Sequence, residues 1–171
     1  SKKYFGSINI LINNAGITKD NLFLRMKKED WREVLNVNLF SVFNLTQLAL
    51  KDMVKSKWGR IINISSGAAK IGNPGQANYV ASKSALEGMT RTLANEVASR
   101  GITVNCIAPG FIKTNIINSI NKDRLETMVS KIPMGRIGES SDIASAAFFL
   151  SSEESSYITG QVLHINGGLT M

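Results

Sequence analysis

The sequence predicts an α/β fold, a doubly wound parallel sheet with helices on both faces. Three observations carry this. Short β-branched runs alternate with long segments of helical period. The runs are apolar at consecutive positions rather than at every second one, as in strands buried on both faces. Each run closes on Asn, Ser, Gly or Pro, the residues of tight turns.

Ile8–Asn13 reads as the first strand, closed by Asn14, Ala15 and Gly16. Trp31, Val34, Leu35, Leu39, Val42, Phe43, Ala49, Leu50, Met53 and Val54 recur at helical spacing, so one helix is expected over 31–55, stopped by Gly59. Ile61–Ile64 is the second strand and ends in Ser65, Ser66 and Gly67. Residues 67–77 read as a Gly/Pro-rich loop. A helix from Asn78 to Arg100 stops at Gly101. Ile102–Ile107 is a third strand, terminated by Pro109 and Gly110. One helix is expected near Lys122–Ser130, and Ser140 or Ser141 is expected to cap another that runs through Leu150. Gln161–Ile165 is the last strand. No repeat, linker or low-complexity tract divides the chain, so residues 1–171 read as a single domain.

A chain of 171 residues buries roughly 70% of its unfolded surface, and 43% hydrophobic residues rule out a disordered chain. A single cysteine excludes a disulfide scaffold and a cysteine metal cage, and fits a reducing compartment. With no apolar run of membrane length and no signal peptide in the sequence, a soluble, cytoplasmic protein is expected. The net charge of +7 comes from scattered Lys and Arg with no basic run, so nucleic acid is not the expected partner. Ordinary solvated helix faces account for most of these charges, and an acidic partner or substrate is the other reading. His164, in the last strand, and Cys106, in a buried one, read as structural.

Open α/β sheets bind ligands beyond the carboxyl ends of their strands. Asn14-Ala15-Gly16, Ser65-Ser66 and Pro109-Gly110 stand at three such ends. Tyr79 and Lys83 lie four apart, on one helix face. An ammonium beside a phenol favours the phenolate, which would suit Tyr79 to general acid–base work. A tyrosine and a snorkelling lysine at a helix start is the simpler reading of the pair alone. Ser66 offers a hydroxyl at a strand end, or plain turn chemistry. Asn38 falls on the apolar stripe of its helix, where it either kinks the helix and holds a water or is a satisfied core amide.

Taken together these residues resemble the short-chain dehydrogenase/reductases: Asn14-Ala15-Gly16, Asn38, Ser66, Tyr79-x-x-x-Lys83 and Pro109-Gly110 occur in that family's order and spacing. The stretches NNAGITKDNLFLRMK, GRIINISS, GNPGQANYVASK, ASRGITVNCIAPGFI and YITGQVLHINGG are similar to its branch of 3-oxoacyl-(acyl-carrier-protein) reductases of type II fatty acid synthesis. The resemblance implies a Rossmann-like domain, of which this chain holds about four of seven strands, and reduction of a 3-oxoacyl group by NADPH. It implies that Tyr79 protonates the developing alkoxide, Lys83 lowers the Tyr79 pKa and binds ribose hydroxyls, Ser66 orients the carbonyl, and Asn38 positions a relay water. Asn14, Ala15, Gly16, Tyr79, Lys83, Pro109, Gly110, Ile112 and Thr114 would hold NADPH or NADP+, and residues 111–138 would form a substrate lid.

The family's opening strand, Gly-rich turn and helix have no counterpart in the sequence, and with them goes the residue that selects NADP over NAD. Ile8–Asn13 is therefore expected to be an apolar edge, and the 171 residues alone are expected to fold poorly and bind coenzyme weakly. The resemblance further implies a homotetramer, and acyl carrier protein as an acidic partner that Lys57 and Arg100 would contact; helix-dipole complementation is the other reading of those two. A reductase of acyl-CoA or another small ketone or alcohol, and a catalytically silent fragment, are the alternative functions.

Overall fold

The computed structural model describes residues 6–113 and 122–170. Strands β1 (Ile10–Asn13), β2 (Gly59–Ile64), β3 (Ile102–Pro109) and β4 (Val162–Ile165) form one parallel sheet in the order β1-β2-β3-β4. The helices are α1 (Lys28–Leu35), α2 (Ser41–Ser56), α3 (Ala68–Ile71), α4 (Ala77–Val97), α5 (Lys122–Val129) and α6 (Ser140–Ser151). Helices α2 and α4 cover one face of the sheet. Ala49, Met53, Ala94 and Val97 pack there on Ile61, Ile102 and Val104. Helix α6 covers part of the other face, where Ala147 and Leu150 meet Ile62 and Ile107. The α/β class and the parallel, two-sided sheet are as the sequence predicts. On the α6 side, Ile10 and Ile12 of the edge strand β1 stay 45% and 46% exposed, so they floor a groove rather than a core.

Four local expectations are corrected. The single helix over 31–55 is two helices, α1 and α2, joined by one wide turn of π-helix at Asn36–Phe40 with Asn38 at its centre. Gly59 does not end α2. Lys57 takes the left-handed cap at φ 53°, and Gly59 opens β2, where a Cβ would stand 2.7 Å from Met53 Cγ. Glu139, not Ser140 or Ser141, caps α6, in a reciprocal box with Asp142, whose carboxylate accepts from the Glu139 N–H at 2.8 Å. The loop 67–77 contains the short helix α3.

Arg60 departs furthest from a solvated surface charge. It is 2% exposed, on the α6 side of β2. It donates to the carbonyls of Gly59 (2.9 Å), Ser152 (3.2 Å) and Gly101 (3.4 Å), reaches Glu153 at 3.3 Å, and lies 4.6 Å from the centre of the Trp58 ring. It thereby fastens the C-terminal end of α6 to the start of β2.

Candidate active site

The carboxyl ends of β1, β2 and β3 open onto one groove of about 1570 Å³. Asn14, Gly16, Ser66, Tyr79, Lys83, Pro109, Gly110 and Ile112 all line it. Residues from four separate stretches are thus brought together as the strand-end argument expects. Ala15 is exposed on the turn between Asn14 and Gly16 and is not part of the lining. Thr114 lies outside the described residues. Phe111 and Lys113 bond to Gly138 at 2.9 and 2.8 Å, so the two ends of the excursion 111–138 are pinned together beside Ile112.

Lys57 and Arg100 are also neighbours, since a Cβ on Gly101 would stand 2.5 Å from the Lys57 carbonyl oxygen. They sit at the opposite, N-terminal end of the sheet. The six residues of β2 separate them from Ser66, roughly 20 Å at strand rise.

Lys83 is 3% exposed, and its Nζ donates to the Ile64 carbonyl at the end of β2 (2.7 Å). It lies 5.7 Å from the centre of the Tyr79 ring. Burial lowers its pKa to about 8. Burial likewise pushes the Tyr79 phenol up, a hydrogen bond with Ser66 pulls it back down, and the Asp20 carboxylate pushes it up again. The acidified phenol expected from the Tyr79–Lys83 spacing is therefore not the state of the free chain. The ammonium is directed at the Ile64 carbonyl, and burial is the largest influence on the phenol. A phenol held high keeps its proton at neutral pH, which is what a proton donor needs.

The sign of the Lys83 shift gives a test. Its folded pKa lies below the unfolded value of 10.5. Below about pH 8 both states are protonated and the burial penalty is fully present; between 8 and 10.5 only the unfolded chain keeps the proton, so stability rises with pH. Urea midpoints of the coenzyme-free protein, corrected by those of Lys83→Met, should rise from pH 7.5 to 9.5; a flat difference would refute the burial of a charged Lys83.

Asn38 lies wholly buried beneath the groove. Its Oδ1 accepts from Ile17 N (2.8 Å), and its Nδ2 donates to Ile17 O (3.0 Å) and Ser82 Oγ (3.1 Å). The wide π turn brings this amide between the segment after Gly16 and the helix that bears Tyr79 and Lys83. A Cβ on Gly16 would stand 3.4 Å from both Asn38 Oδ1 and Lys83 Nζ, in van der Waals contact with both. Both amide N–H groups are engaged, so a relay water would meet Asn38 only through an acceptor.

Four contributors escaped the sequence reading. Ser82 accepts from Asn38 and donates to the Tyr79 carbonyl (2.7 Å). Asn13 and Asn63 lie side by side in β1 and β2 and are bonded at 2.8 Å, and Asn63 continues to Thr90 at 2.8 Å. The fourth is Glu87, which accepts a 2.6 Å bond from the buried Ser65 hydroxyl. For Ser82 the available signal was polar residues recurring on a buried helical stripe, as Asn78, Ser82 and Thr90 do on α4.

Lys83 and Glu87 together moor both Ile64 and Ser65 to α4. This holds Ser66 against Tyr79, and Glu87 is a positioning residue. Glu87→Ala should lower kcat about tenfold with little change in KM, by loosening that register. Glu87→Gln, which keeps the acceptor oxygen, should recover most of the loss; equal loss in both variants would assign the effect to charge instead.

Over residues 1–170 the chain matches the family described as Enoyl-(Acyl carrier protein) reductase. It is 49% identical over 167 residues to 3-oxoacyl-(acyl-carrier-protein) reductase FabG of Vibrio cholerae serotype O1, covering 98% of this chain and 68% of that protein. It is 51% identical over 168 residues to the FabG of Haemophilus influenzae, covering 98% and 69%, and 50% identical over 167 residues to that of Staphylococcus epidermidis, covering 98% and 68%. The chain belongs to the short-chain dehydrogenase/reductase family. It is an NAD(P)-dependent oxidoreductase of that family.

The residues present fit the nicotinamide and ribose half of such a coenzyme. The buried Lys83 ammonium, the exposed Gly16 backbone and the Pro109–Ile112 edge all face one groove. Gly110 has no room for a Cβ, which would stand 2.7 Å from Asn166 Cβ, so the chain can turn closely there. Among the described residues no group of His, Cys, Asp or Glu could hold a metal, and no helix is long and apolar enough to cross a membrane.

Proposed function

We propose that this short-chain dehydrogenase/reductase reduces 3-oxoacyl-(acyl-carrier-protein) to the 3-hydroxyacyl form in type II fatty acid biosynthesis, with NADPH, as a cytoplasmic homotetramer. The observation that carries it is the convergence of Ser66, Tyr79 and Lys83 on one groove, over the buried Asn38, in a chain near half identical to named 3-oxoacyl reductases. The family description names an enoyl substrate, a carbon–carbon double bond. The tighter pairwise matches favour the ketone.

The bound coenzyme supplies hydride. The chain's own groups handle the oxygen. Ser66 hydrogen-bonds the substrate carbonyl and holds it against Tyr79. Tyr79, kept protonated by burial, gives its proton to that oxygen as negative charge develops there. Lys83, charged below about pH 8, then favours the phenolate left behind and holds the ribose hydroxyls. Asn38 and Ser82 keep Lys83 and the turn after Gly16 in register. Asn14, Ala15, Gly16, Pro109, Gly110 and Ile112 offer backbone to the nicotinamide side, and the lid assigned to residues 111–138, of which 114–121 lie outside the described residues, would cover the acyl chain. Lys57 and Arg100, at the far end of the sheet, would contact the acyl carrier protein.

The test is turnover of 3-oxoacyl thioesters with NADPH by the full-length protein. Reduction of the carrier-linked ketone at a kcat/KM well above that of the CoA-linked one is expected. Reduction only of an enoyl thioester, or preference for CoA, would overturn the assignment.

A further inference from the structure

Ile112 stands between two spaces. On one side it lines the groove. On the other it lines a smaller cavity of about 230 Å³, with Arg136, Gly138 and Asp142. Strand β3 ends at Pro109, and Gly110 is anchored by its bond to Ile165 O (2.9 Å). Beyond that point the Ile112 backbone is held by a one-residue parallel bridge to Gly138. Gly138 N donates to Phe111 O (2.9 Å) and Lys113 N to Gly138 O (2.8 Å). A bridge of two hydrogen bonds, with space on either side, sets Ile112 only as firmly as Gly138 itself is set.

Gly138 is set by charge. Asp142 lies in the first turn of α6. Its carboxylate accepts from Glu139 N, directly after Gly138, at 2.8 Å. It also takes the fork of Arg136, two residues before Gly138, at 2.9 and 3.4 Å. One carboxylate thus grips the chain on both sides of the glycine. The Arg136 guanidinium and the Glu139 N–H hold that carboxyl below the usual carboxylate range, so the grip stays charged at neutral pH. Glu139 Oε1 in turn lies 3.6 Å from the Nζ of Lys113, the residue after Ile112. A helix cap needs only the exchange between Glu139 and Asp142. The Arg136 fork and the Lys113 pair add nothing to that exchange; they tie it to the Ile112 edge. Of the two, the bidentate fork is the stronger. At the centre the packing is close, since a Cβ on Gly138 would stand 2.7 Å from Ile112 Cδ1.

We propose that Asp142 is a positioning residue for the coenzyme: by gripping Arg136 and Glu139 on either side of Gly138, it fixes the Ile112 backbone against the nicotinamide. Asp142 does not itself line the groove. The inference rests on the assignment of Pro109, Gly110 and Ile112 to the nicotinamide side made above.

The experiment uses the full-length protein. It measures affinity for NADPH and for the adenosine bisphosphate half of that coenzyme, which has no nicotinamide, together with turnover of a 3-oxoacyl thioester and thermal melts. In Asp142→Ala, NADPH affinity and kcat should each fall about tenfold, while affinity for the adenosine half stays within about twofold of the parent. Asp142→Asn keeps an acceptor for Glu139 N and should recover much of the NADPH affinity. Gly138→Ala leaves the cap and its charges in place, and Gly138 has no left-handed φ to strain. Its methyl should press first on Ile112 and give the same selective loss of NADPH with Tm unchanged. This variant decides the matter if Asp142→Ala melts too low to assay. A lower Tm in Asp142→Ala with both affinities unchanged overturns the proposal, because Asp142 is then a helix cap and no more. Equal weakening of both ligands overturns it too, as does a Gly138→Ala protein that binds NADPH like the parent. Failure of the coenzyme assignment looks different: the unaltered protein would hold NADPH no more tightly than its adenosine half.

Discussion

Tyr79→Phe in the full-length protein is expected to lower kcat for 3-oxoacyl reduction by about a thousandfold while leaving the fold intact. The ring stays and only the hydroxyl goes, so the packing around a half-buried side chain is kept. What is lost is the proton that meets the developing alkoxide. Coenzyme affinity should change little, because Lys83 is held by Ile64 O rather than by the phenol. Ser66→Ala should cost less, since the proton source remains. Single-turnover absorbance at the nicotinamide band, with coenzyme binding measured separately, checks both parts. A Tyr79→Phe variant that keeps most of its turnover would remove the phenol from the chemistry altogether.

Arg60→Met is the second large expected effect, and it falls on stability. Methionine fills much of the arginine volume but supplies no donor. The carbonyls of Gly59, Gly101 and Ser152 are then left in a buried site with fewer partners, at a cost of about 3 kcal/mol. For a domain of this size that is a fall in Tm of roughly 6–12 °C. Glu153→Ala should be nearly silent, about 0.5 kcal/mol, because that carboxylate is 72% exposed and screened by water. Thermal melts of both variants decide it. A similar loss in the two would mean that the ion pair carries the site. A small loss in both would mean that water replaces the guanidinium.

Much of the site was legible before any coordinates. Ser66, Tyr79 and Lys83 could be placed because a strand end and an i, i+4 pair on a helix are local features, fixed by backbone geometry within a few residues. Asn38 was legible as a polar residue on an apolar stripe, but its π turn was not. A π turn swaps a few i→i+4 bonds for i→i+5 ones within an otherwise continuous helix, a change too local to stand out in the apolar spacing. The Glu139 cap escaped because its partner is a side chain three residues on, and two serines next to it offered the more usual cap.

The order of elements, their parallel pairing and the chemistry at the strand ends belong to the sequence, since they follow from hydrophobic period, turn residues and spacing along the chain. The rest waited for the tertiary structure. The register that sets Asn13 against Asn63, the bond from Ser65 to Glu87, the burial of Arg60 and the distance from Lys57 and Arg100 to the groove all join residues far apart in the chain. Such contacts depend on how sheet and helices dock. Docking is decided by the packing of whole faces, which no local pattern encodes.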